Sequence, residues 1–176
     1  MSMADYESAV SLIARNPQWA RFVGPRSTTI VSEAETVLGM HFPQIYRRFL
    51  LEFGAGEVSA TEFYGIPGMD LAKAPLPSGI RQTMALRQKH RFPNDLLVVG
   101  DVGDGGLYCL EIRSDGSEGR VVVVEPGQYP LARDPVGNDF GEFFLSQVQQ
   151  ALAIAMMSPE ERRQATRVKP RGSLPD

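Results

Sequence analysis

The stretch from Ile30 to Gly56 constrains the fold most, because its apolar residues recur with the period of an α-helix twice in succession. In the first half the apolar positions fall at i, i+4, i+7 and i+8, as Ile30, Ala34, Val37 and Leu38. This spacing lines one face of a helix and predicts an amphipathic element that packs on a core. The whole stretch therefore predicts two helices joined by a short turn.

The second half of the stretch has larger side chains with the same period. Its apolar stripe consists of Phe42, Tyr46, Phe49, Leu50 and Phe53, and its opposite face carries Gln44, Arg47, Arg48 and Glu52. Pro43 suits the first position of this helix, and Gly54 and Gly56 end it. Because burying each large side chain stabilises a fold by about 1.5–3 kcal/mol, we expect this pair of helices to form a principal part of the core.

Capping residues set the bounds of the first helix. Thr28 or Thr29 can accept from the backbone N–H groups that a helix N-terminus leaves without partners. Ser32 and Glu35 also fit the capping-box spacing, which would start the helix one turn later. Gly39 suits the left-handed position that ends a helix.

Composition and charge bound the class of protein. The chain has 176 residues with 43% hydrophobic content, which is ordinary for one globular domain with a sizeable core. Its net charge of −3 gives no basic excess of the kind that binds nucleic acid or an anionic membrane. One cysteine, Cys109, leaves no intramolecular disulfide. The chain lacks a signal-peptide pattern and any apolar run of transmembrane length, so we expect a cytoplasmic protein.

Helical periodicity also predicts elements on both sides of the central pair. The predicted ranges are 4–14, 80–91 and 139 to about 157, with a short helix after Ser158. Ser78 can cap the second of these helices, and Asn138 or Asp139 the third. The outer face of helix 80–91 is basic and carries Arg81, Arg87, Lys89, His90 and Arg91. Two interpretations of that face stay open, a solvated helix surface and a patch for an acidic partner.

Strand signals follow the central pair. Runs with strand propensity span 58–66, 96–99, 107–112 and 121–124, and the last three are joined by short turns. Residues 125–138 are rich in proline and glycine and are predicted as a loop. Short connections favour antiparallel neighbours, because parallel pairing needs a crossover of a dozen or more residues.

The predicted fold is therefore α+β, with helices packed on one face of a largely antiparallel sheet. We expect a single domain over residues 1–168, since neither an internal repeat nor a second domain is recognisable. Residues 169–176 contain two prolines and one glycine and are expected to form a flexible tail.

Patterns that would support catalysis, a cofactor or a metal are weak. The glycine-rich run at 100–108 lacks the Lys-Ser/Thr ending of a phosphate loop and leads into a strand rather than a helix. Asp101, Asp104 and Glu111 lack the pattern of a calcium loop, and Asp and Gly are the residues expected in a tight turn. His41, His90 and the cysteine lack zinc-ligand spacing. We therefore expect that the protein is not an enzyme and that it binds neither a cofactor nor a metal.

The central stretch also carries the pattern E-x-x-L-G-x-x-x-P-x-x-Y-x-x-F-L, with fixed positions at Glu35, Leu38, Gly39, Pro43, Tyr46, Phe49 and Leu50. The segments Phe63–Gly65, VVGDVGDGGLYCLE at 98–111 and Phe140–Leu145 follow in order. Together these segments resemble the SUKH superfamily, which includes the fungal cell-wall synthesis regulator and many bacterial immunity proteins. Where the family usually has an Asn-Gly-Gly-like turn, this chain has the sequence FGAG at 53–56.

The resemblance implies a mixed α+β fold with a largely antiparallel sheet and no known catalytic residues. It also implies that bacterial members bind and neutralise a toxin delivered between cells. The matched positions lie on helix stripes and turns, so they indicate the fold and transfer no binding residue.

Three hypotheses for function stay open. In the first, the chain is an immunity protein whose acidic loops meet a basic face of a toxin, possibly a nuclease; the candidate partner-binding residues are Asp101, Asp104, Asp115 and Glu118. In the second, it is an intracellular scaffold or regulatory module of the same fold. In the third, a cleft between sheet and loops binds a small molecule or catalyses a reaction. The partner in the first two cases is a protein, rather than nucleic acid or a membrane.

Overall fold

The structure of the protein, a computed structural model, describes residues 2–167, so the tail predicted at 169–176 lies outside the described residues. In chain order the elements are α1 Ser2–Arg15, a 3₁₀ turn Pro17–Trp19, β1 Ala20–Phe22, α2 Thr28–Leu38, α3 Gln44–Glu52, β2 Gly56–Val58, β3 Thr61–Phe63, α4 Gly79–His90, β4 Leu96–Asp101, β5 Leu107–Glu111, β6 Val121–Val124, β7 Asp134–Gly137, α5 Phe140–Met156 and α6 Pro159–Arg167. The strands form two antiparallel sheets, in the orders β1-β2-β3 and β4-β5-β6-β7. This arrangement confirms the predicted α+β fold.

The central helix pair forms as α2 and α3, but its first cap differs from the prediction. Ser27, rather than Thr28 or Thr29, caps α2, since its hydroxyl accepts from the backbone N–H of Ile30 at 3.3 Å. Gly39 ends the helix as predicted, in a left-handed conformation with φ 64°. The predicted cap was off by one position because several hydroxyl side chains stand in a row here, and each of them could start the helix.

Glu35 joins the two helices instead of belonging to a capping box. Its carboxylate accepts from the backbone N–H of Phe42 at 2.8 Å and from the guanidinium of Arg47 at 2.6 Å. Phe42 lies in the turn before α3 and Arg47 lies on α3 itself. A single carboxylate therefore positions the start of α3 relative to the end of α2.

Aromatic residues from α3 and α5 form the centre of the core. Phe49 is fully buried, with its ring centroid 5.3 Å from that of Phe140 and 5.4 Å from that of Phe144. Tyr46 is also fully buried, and its hydroxyl donates to the carbonyl oxygen of Tyr64 at 2.9 Å. The buried hydroxyl of Tyr46 thus keeps a partner while the rings pack, and α5 covers the apolar stripe of α3.

Two apolar residues assigned to buried stripes are exposed in the structure. Val37 is 50% exposed, because the buried arc of α2 is centred near Ala34 and extends to Val31 rather than to Val37. Met156, which the helical period of the sequence places on one apolar stripe with Val148 and Leu152, is 60% exposed at the last residue of α5. The helical period was correct in both cases, and the direction in which each stripe faces was off by part of a turn.

The run at 58–66 was predicted as one strand and instead completes a hairpin. The turn between β2 and β3 begins at Ser59, which has φ 54°, and β3 then pairs antiparallel with β2. On its other side β2 pairs with β1, a short strand that the sequence did not predict. The backbone N–H of Tyr64 donates to the carbonyl oxygen of Val99 at 2.9 Å, so the small sheet abuts β4 of the second sheet.

The second sheet is the predicted antiparallel meander, extended by β7, which lies within the segment predicted as a loop. Its two faces are both buried, so the prediction of helices on one face was wrong. Leu97 and Val99 pack on the aromatic core, whereas Leu96 and Val98 face a second cluster covered by the end of α4 and the loop after β6. A continuous apolar run is what a strand buried on both faces requires, because successive side chains point to opposite faces.

Candidate partner-binding surface

The four predicted acidic residues lie in two turns at opposite ends of the second sheet. Asp101 and Asp104 lie at the turn between β4 and β5, whereas Asp115 and Glu118 lie in the turn between β5 and β6. Because β5 rises about 3.3 Å per residue over its length, the two turns are separated by about 17 Å. Successive turns of an antiparallel meander alternate between the ends of the sheet, so the structure does not bring these four residues together.

Glu62, Asp101 and Asp104 form what we term the acidic surface. All three are exposed, and within residues 2–167 none of them forms an ion pair. Asp101 accepts from the backbone N–H of Gly103 at 2.5 Å, and Asp104 accepts from that of Gly106 at 3.2 Å. These two carboxylates therefore hold the turn in shape while their charge faces solvent.

The charge of this surface helps to raise the pKa of two tyrosines. Burial, together with the charges of Asp101 and Glu62, raises the pKa of Tyr64 to about 12. Burial and the charge of Asp104 also raise the pKa of Tyr108. Nearby carboxylates have this effect because they disfavour a second negative charge. Sequence reasoning missed Glu62, since it comes beside Asp101 only because β3 lies next to β4.

The turn between β5 and β6 uses its carboxylates for internal contacts. Asp115 is exposed and accepts from the backbone N–H and hydroxyl of Ser117 at 3.0 and 2.6 Å, which lowers the pKa of its carboxyl group. Glu118 is half-buried, and its Oε1 accepts from the backbone N–H of Ile45 at 3.0 Å. Ile45 lies in the first turn of α3, where N–H groups have no partner inside the helix. Glu118 therefore caps α3 from a distant turn and is a structural contact.

Burial makes Glu118 sensitive to pH. Desolvation raises the pKa of its carboxyl group, and among the described residues its Oε2 has no hydrogen-bond partner. A folded-state pKa above the unfolded value means that ionisation disfavours the fold. The stability that this group contributes is thus fully present below its unfolded pKa and is lost as pH rises through its folded pKa.

We expect Glu118→Gln to keep the hydrogen bond to Ile45 and to remove this dependence on pH. The thermal midpoint of the variant minus that of the wild type should become more positive between about pH 4 and about pH 7, since only the wild type then buries a charge. Asp115→Asn is the matched control, because it removes a carboxylate of lowered pKa from the same turn; its difference should change weakly and with the opposite sign. A constant difference for Glu118→Gln across this range would show that its ionisation is not linked to folding.

An open groove, which we term the α2 groove, runs along the solvent side of α2. Its volume is about 680 Å³, and its lining consists of Thr28, Thr29, Ser32, Glu33, Thr36, Val37 and Leu71. The loop that carries Leu71 also exposes Met69 and Leu76, by 73% and 56%. Exposed apolar side chains beside a shallow, open cavity are typical of surfaces that contact proteins.

Residues 2–167 contain no group of three or more His, Cys, Asp or Glu side chains arranged to hold a metal ion. Cys109 is buried, and desolvation raises the pKa of its thiol, whereas reactive cysteines have a lowered pKa and some exposure. No helix in the same range is long and apolar enough to cross a membrane.

The fold and these surfaces define an α+β protein in which helices and two antiparallel sheets pack around an aromatic core, with charged and apolar side chains presented on turns and on α2. Residues 29–144, more than half of the chain, match the SMI1-KNR4 cell-wall family, SUKH_6. The chain belongs to this family, which confirms the resemblance to the SUKH superfamily. The matched range extends from α2 into α5 and so includes both the Phe49 and Phe144 sides of the core.

Proposed function

We propose that this protein is a non-catalytic binding module that acts in the cytoplasm as an immunity protein and neutralises a toxin domain. Membership of the family over residues 29–144 carries the proposal, because the superfamily resemblance implies toxin neutralisation by bacterial members. The partner in this proposal is a protein, and binding requires no cofactor. Fold alone does not determine function, so the proposal also depends on the chemistry of the surface.

The acidic surface supports a partner with a basic face. Asp101 and Asp104 are held by hydrogen bonds inside their turn, so little side-chain freedom is lost when a cation approaches them. Glu62 adds a third exposed carboxylate from the neighbouring sheet. Complementary charge increases the rate of association and rejects acidic partners. A nuclease, which must attract phosphate, presents basic surface of this kind.

The double variant Asp101→Asn/Asp104→Asn should weaken binding of the cognate toxin about tenfold at low salt, because two attractive charges are lost. Asparagine retains the Oδ1 acceptor, so the turn should keep its hydrogen bonds to Gly103 and Gly106. The partner to use is the toxin-domain protein encoded by a reading frame adjacent to this gene, and the measurement is isothermal titration calorimetry at two ionic strengths.

Asp115→Asn is the control for this experiment, since it removes one exposed carboxylate from the opposite end of the sheet. Its affinity for the same toxin should equal that of the wild type. Co-expression with the adjacent toxin should also restore growth of the host. The proposal fails if no adjacent frame encodes a toxic product, or if such a product kills the host equally with and without this protein.

A second candidate function is an intracellular scaffold or regulatory protein, and it is supported by the cell-wall description of the matched family. This function predicts that deletion of the gene changes growth or wall integrity when no toxin is present. Immunity predicts a wild-type phenotype under the same conditions. Deletion in a strain that also lacks the adjacent toxin frame separates the two functions.

A further inference from the structure

A second charged surface lies where the end of α4 faces the loop after β6. It encloses an open cavity of about 330 Å³, and we term it the basic cleft; its lining is Lys89, His90, Arg91, Gly127 and Tyr129. All five of these residues are exposed. The sequence left open whether the basic face of this helix is a solvated surface or a patch for an acidic partner.

The structure divides that basic face into cations that are used internally and cations that are not. The guanidinium of Arg87 donates to the carbonyl oxygens of Leu38 at 2.7 Å and Asn94 at 3.0 Å. By contrast, within the described residues Lys89 and Arg91 form no ion pair and no side-chain hydrogen bond. Among the described residues of this basic face, only those at the end of α4 therefore present free positive charge.

Tyr129 forms the opposite wall of the basic cleft. Its hydroxyl donates to the backbone carbonyl oxygen of His90, which holds the ring over the end of α4, and the residue is 63% exposed. A small apolar recess of about 30 Å³ lies behind it, bounded in part by Phe92 and Leu131. The neighbouring acid of this loop, Glu125, accepts from the side-chain amide of Gln128. The cleft thus combines free cations with an aromatic wall and an apolar recess.

The backbone of Arg91 gives an independent indication. Arg91 follows α4 in a left-handed conformation, with φ 48°, and α2 ends in the same conformation at Gly39, with φ 64°. Glycine adopts this conformation without the steric cost that a side chain incurs. The cations Arg87 and Lys89 already occupy the last turn of α4, where they interact favourably with the helix dipole. An arginine in place of glycine at this position adds a cation to the cleft at a steric cost that ending the helix does not require.

We propose that the basic cleft binds an acidic segment of a partner protein. Carboxylates of the segment meet Lys89 and Arg91, and an apolar side chain of the segment packs on the ring of Tyr129. A nucleic acid fits less well, because the chain carries a net charge of −3 and would repel a long polyanion outside the cleft. This inference is independent of the toxin proposal, which uses a surface of the opposite charge.

The test uses the full chain and a fluorescein-labelled peptide of sequence EELEE, with QQLQQ as the neutral peptide, in fluorescence anisotropy titrations at about 50 mM salt. We expect the acidic peptide to bind and the neutral peptide not to bind. Arg91→Gly should weaken binding about tenfold, and its thermal midpoint should equal or exceed that of the wild type because glycine suits the left-handed position. A merely structural arginine would give the reverse result, lower stability and unchanged binding.

Lys73→Gln is the matched control, because it removes one exposed positive charge from the loop before α4. The 12 residues of α4, a length of about 18 Å, lie between that loop and the cleft. Equal weakening by Lys73→Gln and Arg91→Gly would indicate unspecific charge attraction and overturn the proposal. If Arg91→Gly lowers the thermal midpoint, Lys89→Gln replaces it as the test variant. Unchanged affinity of Lys89→Gln for the acidic peptide would also overturn the proposal. Tighter binding of a fluorescein-labelled single-stranded DNA than of the acidic peptide would assign the cleft to a different class of ligand.

Discussion

Phe49→Ala is expected to lower the free energy of unfolding by about 3–5 kcal/mol, the cost of removing a large aromatic side chain from a well-packed core. Phe49 is fully buried, and its ring lies within contact distance of rings from α5, Phe140 and Phe144. Rings of β1, α3 and α5 surround Phe49 and cannot all move into the space, so a cavity should remain. Urea denaturation monitored by circular dichroism measures the change.

Val37→Ala is the comparison for this variant. It also removes an apolar side chain from the central helix pair, but Val37 is 50% exposed. Its effect should stay within about 0.5 kcal/mol, as for most surface substitutions. Similar losses for the two variants would contradict the packing of α3 against α5, since burial is what distinguishes them.

Gly65→Ala is expected to destabilise the protein by about 3 kcal/mol through overpacking against the backbone. An added Cβ would lie 1.9 Å from the carbonyl oxygen of Gly54 and 3.0 Å from Cδ2 of Leu50. The carbonyl oxygen cannot move freely, because it accepts from the backbone N–H of Ile66 at 2.8 Å. Gly65 itself is held by a hydrogen bond from its N–H to the carbonyl oxygen of Pro77 at 3.1 Å.

Gly68→Ala provides the matched control, three residues further along the same segment. There an added Cβ would lie 3.7 Å from the Cβ of Ala74, which is ordinary van der Waals contact. Its thermal midpoint should be close to that of the wild type or slightly higher, since alanine reduces the freedom of the unfolded chain. If Gly65→Ala and Gly68→Ala both have wild-type stability, the carbonyl oxygen of Gly54 does not lie as close to Gly65 as the structure places it.

Much of the helical structure could be predicted because its signals are local. Ser78 caps α4 by accepting from the N–H of Arg81 at 3.2 Å, and Asp139 caps α5 by accepting from that of Glu142 at 3.0 Å. Each of these contacts spans three residues, so the sequence alone displays it. β1 and β7 were missed because strands of three and four residues contain too few positions to show an alternation. Their existence depends on the strands beside them.

The candidate surfaces could be predicted only in part. Asp101 and Asp104 are exposed turn residues, as their Asp-Gly-rich sequence indicated, and their role in binding stays a prediction. Glu118 has a similar local sequence but lies against the start of α3, 73 positions away along the chain. The sequence could not show which basic residues of α4 form internal hydrogen bonds. Arg87 does so, but the carbonyl oxygens that accept from it belong to residues outside α4.

The sequence by itself determined the central helix pair, the glycine that ends α2, the antiparallel order of β4, β5 and β6, and the family. These features follow from the period of apolar residues and from caps and turns that act within a few residues. The tertiary structure decided that Gly65 must lack a side chain, that Glu118 caps α3, and that Glu62 joins Asp101. Each of these depends on two segments distant in sequence being packed together, and no local pattern encodes which distant atoms will lie within contact distance.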